Sequence, residues 1–219
     1  MNILQEIADA IVRMSPTEVE RLCEQALAAY SPKAIIAEAL SRGIEALGEK
    51  FACQEAFVPE IMAGCDCYYA GMRVLRPRLA SRTGLVPLGT IAIGAVRGDI
   101  HTVGKDVAVP VFEAAGFHVV DLGVGVDESR FVAAIRQYHV DILGLGAYMT
   151  ITMPQIRTTV RQLEAAGLRS RVKVICGGPT MDSAAAKALG ADDGTNNAWK
   201  AVEIMRHWMS PPHGQSVAA

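Results

Sequence analysis

Three segments of this 219-residue chain carry side chains able to do chemistry. The first is Arg97-Gly98-Asp99-Ile100-His101-Thr102-Val103-Gly104, which sets an imidazole two residues after a carboxylate. In an extended turn the side chains at i and i+2 share a face. Asp99 can then accept from one nitrogen of His101 and leave the other to ligate a metal. The same residues also suit a surface loop whose aspartate caps the following helix. The second segment, Gly144-Leu145-Gly146-Ala147-Tyr148-Met149-Thr150-Ile151-Thr152, has a glycine at 146 that permits close approach by another group. Its Thr152 is a good N-cap for whatever helix follows. In the third, Cys176-Gly177-Gly178-Pro179, the paired glycines either make a tight turn or leave room for a bulky flat group.

Several other chemistries are excluded. Gly98 and Gly104 are too far apart for a dinucleotide fingerprint, and Asp121 comes one residue too early to hold a ribose. Cysteines at 23, 53, 65, 67 and 176 are odd in number and do not fall at framework spacings, so they read as reduced thiols of a cytoplasmic protein. Cys65 and Cys67 lack the second pair or neighbouring histidine that zinc would need. Lys+Arg 21 against Asp+Glu 23 gives a net charge of -2, which argues against nucleic-acid binding by charge neutralisation. No stretch reaches the roughly 20 apolar residues of a membrane helix, so no membrane partner is expected.

The elements that must position these segments follow from periodicity. Up to about Leu79 the apolar residues recur at three and four. Ile3 to Val12 is one such stripe. Ser15-Pro16 opens a second, with Glu18 completing a capping box, and Ser31-Pro32 opens a third that runs through Ile35, Ala39, Ile44 and Leu47. Pro59 opens a fourth, through Ile61, Met62, Cys65, Tyr68, Tyr69, Met72 and Leu75. After breakers at Ser81, Gly84 and Pro87 the pattern becomes strand, loop, helix, repeated. Strands are expected at 90–96, 117–122, 141–147, 172–176 and 191–193. Helices are expected at 105–115, 128–138, 153–166, 182–189 and 197–209. Apolar strands alternating with helices mean a parallel sheet covered on both faces. The expected fold is therefore α/β: an N-terminal four-helix bundle over 1–85, then a flavodoxin-like (Rossmann-like) five-stranded parallel-sheet domain over 86–210, with 211–219 a disordered tail. Ligands of such a sheet sit beyond the carboxyl ends of its strands, where all three reactive segments fall.

Together these segments resemble the cobalamin-binding domain of corrinoid methyltransferase proteins, relatives of the cobalamin module of methionine synthase. The family pattern D-x-H-x-x-G, S-x-L, G-G is matched by Asp99-x-His101-x-x-Gly104, Gly146-x-Tyr148 and Gly177-Gly178. The helical front resembles the family's cap, with Leu47-Gly48-Glu49-Lys50-Phe51 and Phe57-Val58-Pro59-Glu60 as its signature.

The resemblance implies a cobalamin (corrinoid) cofactor bound base-off and His-on. The nucleotide tail leaves the cobalt and runs beside the sheet, and His101 becomes the lower axial ligand. Asp99 orients the imidazole and Thr152 supplies the relay hydroxyl. Thr102, Gly104, Gly146, Tyr148, Gly177 and Gly178 complete the cofactor contacts, and Phe51 and Val58 cover the upper face. The implied role is a non-catalytic methyl carrier. It serves a substrate:corrinoid methyltransferase and a corrinoid:acceptor methyltransferase, with a reductive activase, and its cap swings about residues 81–87. A cobalamin-dependent sensor or a mutase small subunit is the alternative. One departure is plain: the family's serine and leucine are Gly146 and Tyr148 here. The tyrosine ring is expected to overshoot the serine's place, leaving the serine's contact unmade.

Overall fold

The computed structural model describes residues 2–79 and 87–210. The tail from 211 on, and the breaker segment apart from Pro87, lie outside the described residues. The chain divides into two compact units, one of residues 1–87 with 101–119, the other of residues 88–100 with 120–219.

The first unit is built on helices α1 (Ile3–Val12), α2 (Pro16–Ala26), α3 (Pro32–Ile35), α4 (Ser41–Ala52) and α5 (Val58–Leu79). It also contains α6 (Val103–Ala114). Ile7, Ile11, Leu22, Ile35, Leu40, Ile44, Leu47, Ile61 and Leu75 make its core, in the spacings read from the sequence. Asn2 caps α1 and Ser31 caps α3, each side chain accepting from a backbone N–H. Ser15 makes no such bond, and Glu18 turns away to Arg13 at 3.1 Å, so the expected capping box does not form. Between α3 and α4 lies a π-helical stretch, Ile36–Leu40. Its extra residue per turn resets the phase, so Ile35 and Ile44 both face the core. Helices α5 and α6 are tied by Arg76 and Glu113 at 3.2 Å, and the Ser41 hydroxyl donates to the Ala114 carbonyl at 2.7 Å. Burial raises the Glu113 carboxyl above the ordinary range, and Arg76 opposes that shift.

The second unit carries the sheet except for the first half of β2, and the strand order is β2-β1-β3-β4-β5. Its strands are β1 (Thr90–Ala95), β2 (His118–Asp121), β3 (Ile142–Gly146), β4 (Lys173–Gly177) and β5 (Asp193–Thr195). The pairings of β1 with β3, β3 with β4 and β4 with β5 are parallel. Helices α7 (Glu128–Tyr138), α8 (Met153–Ala165), α9 (Ser183–Ala188) and α10 (Ala198–Met209) follow the strands as expected. One face packs Ala92, Leu143, Leu145, Val174 and Cys176 against Phe131, Ile135, Ile156, Val160 and Leu163. Burial pushes the Cys176 thiol up to about 12, so it stays protonated as a small core residue. Strand β5 starts two residues later than expected. The Ala191 N–H is taken by the Ala186 carbonyl, and the Asp192 carboxylate accepts from Val174 N, so ladder pairing begins at Asp193.

Candidate functional site

In-phase pairing puts Ala95, Gly146, Gly177 and Thr195 in one row across the carboxyl ends of four strands. One layer deeper on the same face stand Ile93, Gly144, Ile175 and Asp193. The sheet therefore ends in a strip with almost no side-chain volume. A Cβ on Gly177 would meet only the Thr195 carbonyl, at 3.9 Å. Gly178 differs: its φ is +150°, and a Cβ there would lie 2.0 Å from the Ala147 oxygen. Of the paired glycines, one leaves open space beside the sheet and the other permits the turn.

Asp99 is wholly buried, which sets aside the surface-loop reading. Its Oδ2 accepts from the Tyr148 N–H and from the Thr152 hydroxyl, both at 2.7 Å. Its backbone is held at both ends, the N–H donating to the Val96 carbonyl and the carbonyl accepting from Gly125 N. Thr152 begins α8 but makes no side-chain cap bond, contrary to expectation. Its hydroxyl is drawn instead to Asp99 and to the Met149 carbonyl at 2.8 Å. One proton faces two acceptors.

Tyr148 folds back over Gly146. A Cβ at 146 would meet its Cε2 at 3.0 Å and its hydroxyl at 3.1 Å. The ring does not overshoot; it lies along the space that a side chain at 146 would fill. The two departures at 146 and 148 are thus one exchange of volume. Gly146→Ser alone must push the ring aside and should destabilise the protein by about 1 kcal/mol. Gly146→Ser combined with Tyr148→Leu should restore stability. Thermal unfolding of the single and double variants checks this, and an additive double variant would refute it.

His101 is exposed and opens the segment that enters α6. Thr102 sits at the N-cap of that helix without a side-chain cap bond, and Gly104 lies in its first turn. These three belong to the helical unit, as do Phe51 in the last turn of α4 and Val58 at the start of α5. The structure thus brings together Asp99, Gly146, Tyr148, Thr152, Gly177 and Gly178 in the sheet unit.

Sequence reasoning named Phe57 in the cap signature but not its exposure, which is 62 %, and it missed a set of ion pairs. Arg97 pairs with Asp127 at 3.1 Å and with Glu128, linking the loop of Asp99 to the start of α7. The hydrogen bond to Glu128 is the largest of the contacts that raise the guanidinium above its ordinary pKa. A base beside the first loop and two acids at the next helix start were the available signal.

The residues present at the strand ends fit a large cofactor: small residues stand in one row there, open beside Gly177, with a buried, hydrogen-bonded acid in the loop after β1. Residues 89–201 match a B12 binding domain family, and residues 3–76 match a second B12 binding domain family. The chain is 36 % identical over 200 residues to dimethylamine corrinoid protein 2 of Methanosarcina acetivorans, covering 91 % of this chain and 93 % of that one. A cobalamin-binding protein from Desulfitobacterium hafniense DCB-2 aligns at a TM-score of 0.75 with 29 % identity, over 94 % and 98 % of the two chains. The methanol:cobalamin methyltransferase complex of Methanosarcina barkeri aligns at 0.81 with 22 % identity, over 94 % of this chain and 79 % of that one, a likeness of fold. The family matches and these relatives lead to one family: this chain is a B12-binding corrinoid protein, and its cofactor is a corrinoid of the cobalamin type.

Proposed function

We propose that the protein is the non-catalytic methyl carrier of a methyltransferase system, with His101 as the lower axial ligand of the cobalt. One observation carries this. An exposed imidazole stands on a carboxyl-end loop that a fully buried, doubly hydrogen-bonded carboxylate anchors two residues earlier. The corrinoid, when bound, supplies the metal that takes up and gives up the methyl group. The chain's own part is to hold and tune. Asp99 fixes the loop from which His101 emerges, and Thr152 holds a proton next to the Asp99 carboxylate. The open space beside Gly177 would take part of the cofactor's tail.

Residues 1–85 act as a cap and 86–210 as the cofactor domain, a division that the two family matches support. Phe51 and Val58 would shield the bound cofactor from water. The exposed apolar Phe57 and Val58 favour a surface that something else covers. A substrate:corrinoid methyltransferase loads the carrier, a corrinoid:acceptor methyltransferase unloads it, and a reductive activase rescues it. Likeness to dimethylamine corrinoid proteins favours a methylamine as donor. No described helix is long and apolar enough to cross a membrane.

The test is reconstitution with cobalamin. The reduced paramagnetic form of the wild type should show nitrogen coupling from histidine in its EPR spectrum, and His101→Ala should lose it while retaining cofactor. Identical visible and EPR spectra in the two proteins would end the assignment.

A further inference from the structure

Glu128 opens α7, and its side chain is only 4 % exposed. Oε2 is paired with Arg97, but Oε1 is buried with no hydrogen-bond partner among the described residues. A buried acceptor without a donor is costly, and such atoms point to a group that arrives from outside. Arg97, which covers this carboxylate, is itself 55 % exposed and also reaches Asp127. The pair lies beside the strip's loops. Asp99 follows Arg97 by two residues, and its carbonyl accepts from Gly125 N, three residues before Glu128. Gly98, Gly123 and Gly125 all have positive φ, and a Cβ on any of them would meet nothing within 4 Å. Bare, open backbone thus stands in the two loops that carry the pair.

We propose that Arg97 and Glu128 form a binding site for a primary carboxamide on the edge of the corrin ring. This rests on the corrinoid reading above and adds a contact remote from the metal. The chemistry matches at two points. The amide N–H donates to Glu128 Oε1, and the guanidinium donates to the amide carbonyl. A carboxylate in the same place would be repelled by Glu128, and an ester would have no N–H to give. Asp127 keeps Arg97 in place when its contact to Glu128 loosens.

The experiment titrates the apo protein with two corrinoids that lack the nucleotide tail. Cobinamide carries the peripheral carboxamides; a fully methyl-esterified cobyrinate has the same ring without any amide N–H. Wild type should prefer cobinamide. Glu128→Ala should cut that preference about tenfold by weakening cobinamide alone, and Glu128→Gln, which keeps an acceptor oxygen, should cut it less. Arg97→Ala, which leaves Glu128 in place, should cut it from the carbonyl side and serves if Glu128→Ala does not fold. An unchanged preference in the variants overturns the carboxamide site and leaves the corrinoid reading standing. A wild type that takes up neither corrinoid, nor cobalamin, overturns both.

Discussion

Gly178→Ala should lower stability by about 3 kcal/mol or more, because strain and a backbone collision act together. The φ of +150° already disfavours any Cβ, and the new atom would stand 2.0 Å from the Ala147 carbonyl oxygen. Neither backbone can retreat easily. Ala147 N donates to the Gly177 carbonyl at 2.9 Å, and Gly146 pairs with Gly177 in the ladder. Relief would have to open the β3–β4 junction where the strip begins. In a chain of this size the loss corresponds to a fall in Tm of roughly 10 °C. Gly177→Ala provides the contrast. Its Cβ has open space, so unfolding should move by less than about 0.5 kcal/mol, as for a surface change. That methyl group stands in the cleared strip, so corrinoid affinity should drop while Tm holds. Thermal unfolding and cofactor titration of both variants check the pair. Equal Tm losses at 177 and 178 would show that neither glycine was kept for a ligand.

The helical front was legible because its signal is redundant. In α1, α4 and α5 apolar residues recur at three- and four-residue spacing, and most of them make the core; Met62, which keeps the spacing, is exposed. The π-helical stretch at Ile36–Leu40 was invisible, since the apolar residues on either side keep a plausible helical spacing whether or not one residue is extra. Strand β5 was misplaced because Ala191 looks as strand-like as Thr195, and the choice depends on a bond to α9 that only the fold creates. The site was legible in outline and hidden in detail. Asp99 and Thr152 are far apart in sequence, and a threonine before a helix is ordinarily a cap. Its diversion to a carboxylate follows from β1 and β3 being neighbours. Tyr148 was misjudged for the opposite reason. Its distance from Gly146 is short in sequence, yet whether the ring extends or folds back depends on the empty volume at 146. The open oxygen of Glu128 had no signature at all, because a glutamate in a helix's first turn is among the commonest of residues there.

Asp99→Ala should be the most damaging single change on the sheet's carboxyl edge that leaves the backbone geometry permissible. It removes the acceptor of two buried donors at once. The Tyr148 N–H is left without the carboxylate, and Thr152 keeps only the Met149 carbonyl. Stranding a buried N–H costs about 1–3 kcal/mol, and losing a hydrogen bond to a charged group about 1.5–3 kcal/mol. These overlap, so about 3 kcal/mol in all is expected. Asp99→Asn discriminates charge from geometry. Both donors converge on Oδ2, so an amide oxygen in that place accepts from both while the charge is lost. That variant should lose about 1 kcal/mol. Thr152→Val should fall between them, because it removes one donor and leaves the Tyr148 bond intact. If this ordering holds in denaturant unfolding, Asp99 is a clasp between the loops after β1 and β3. The clasp then explains how an exposed histidine on the first loop is held ready for a metal. The cofactor readout should follow the same order, since the loop that carries His101 loosens as the clasp weakens. Nitrogen coupling in the EPR spectrum should persist in Asp99→Asn and fade in Asp99→Ala. Equal stability of the Ala and Asn variants would mean that the two short contacts to Oδ2 contribute nothing to the fold, and the clasp would have to be abandoned.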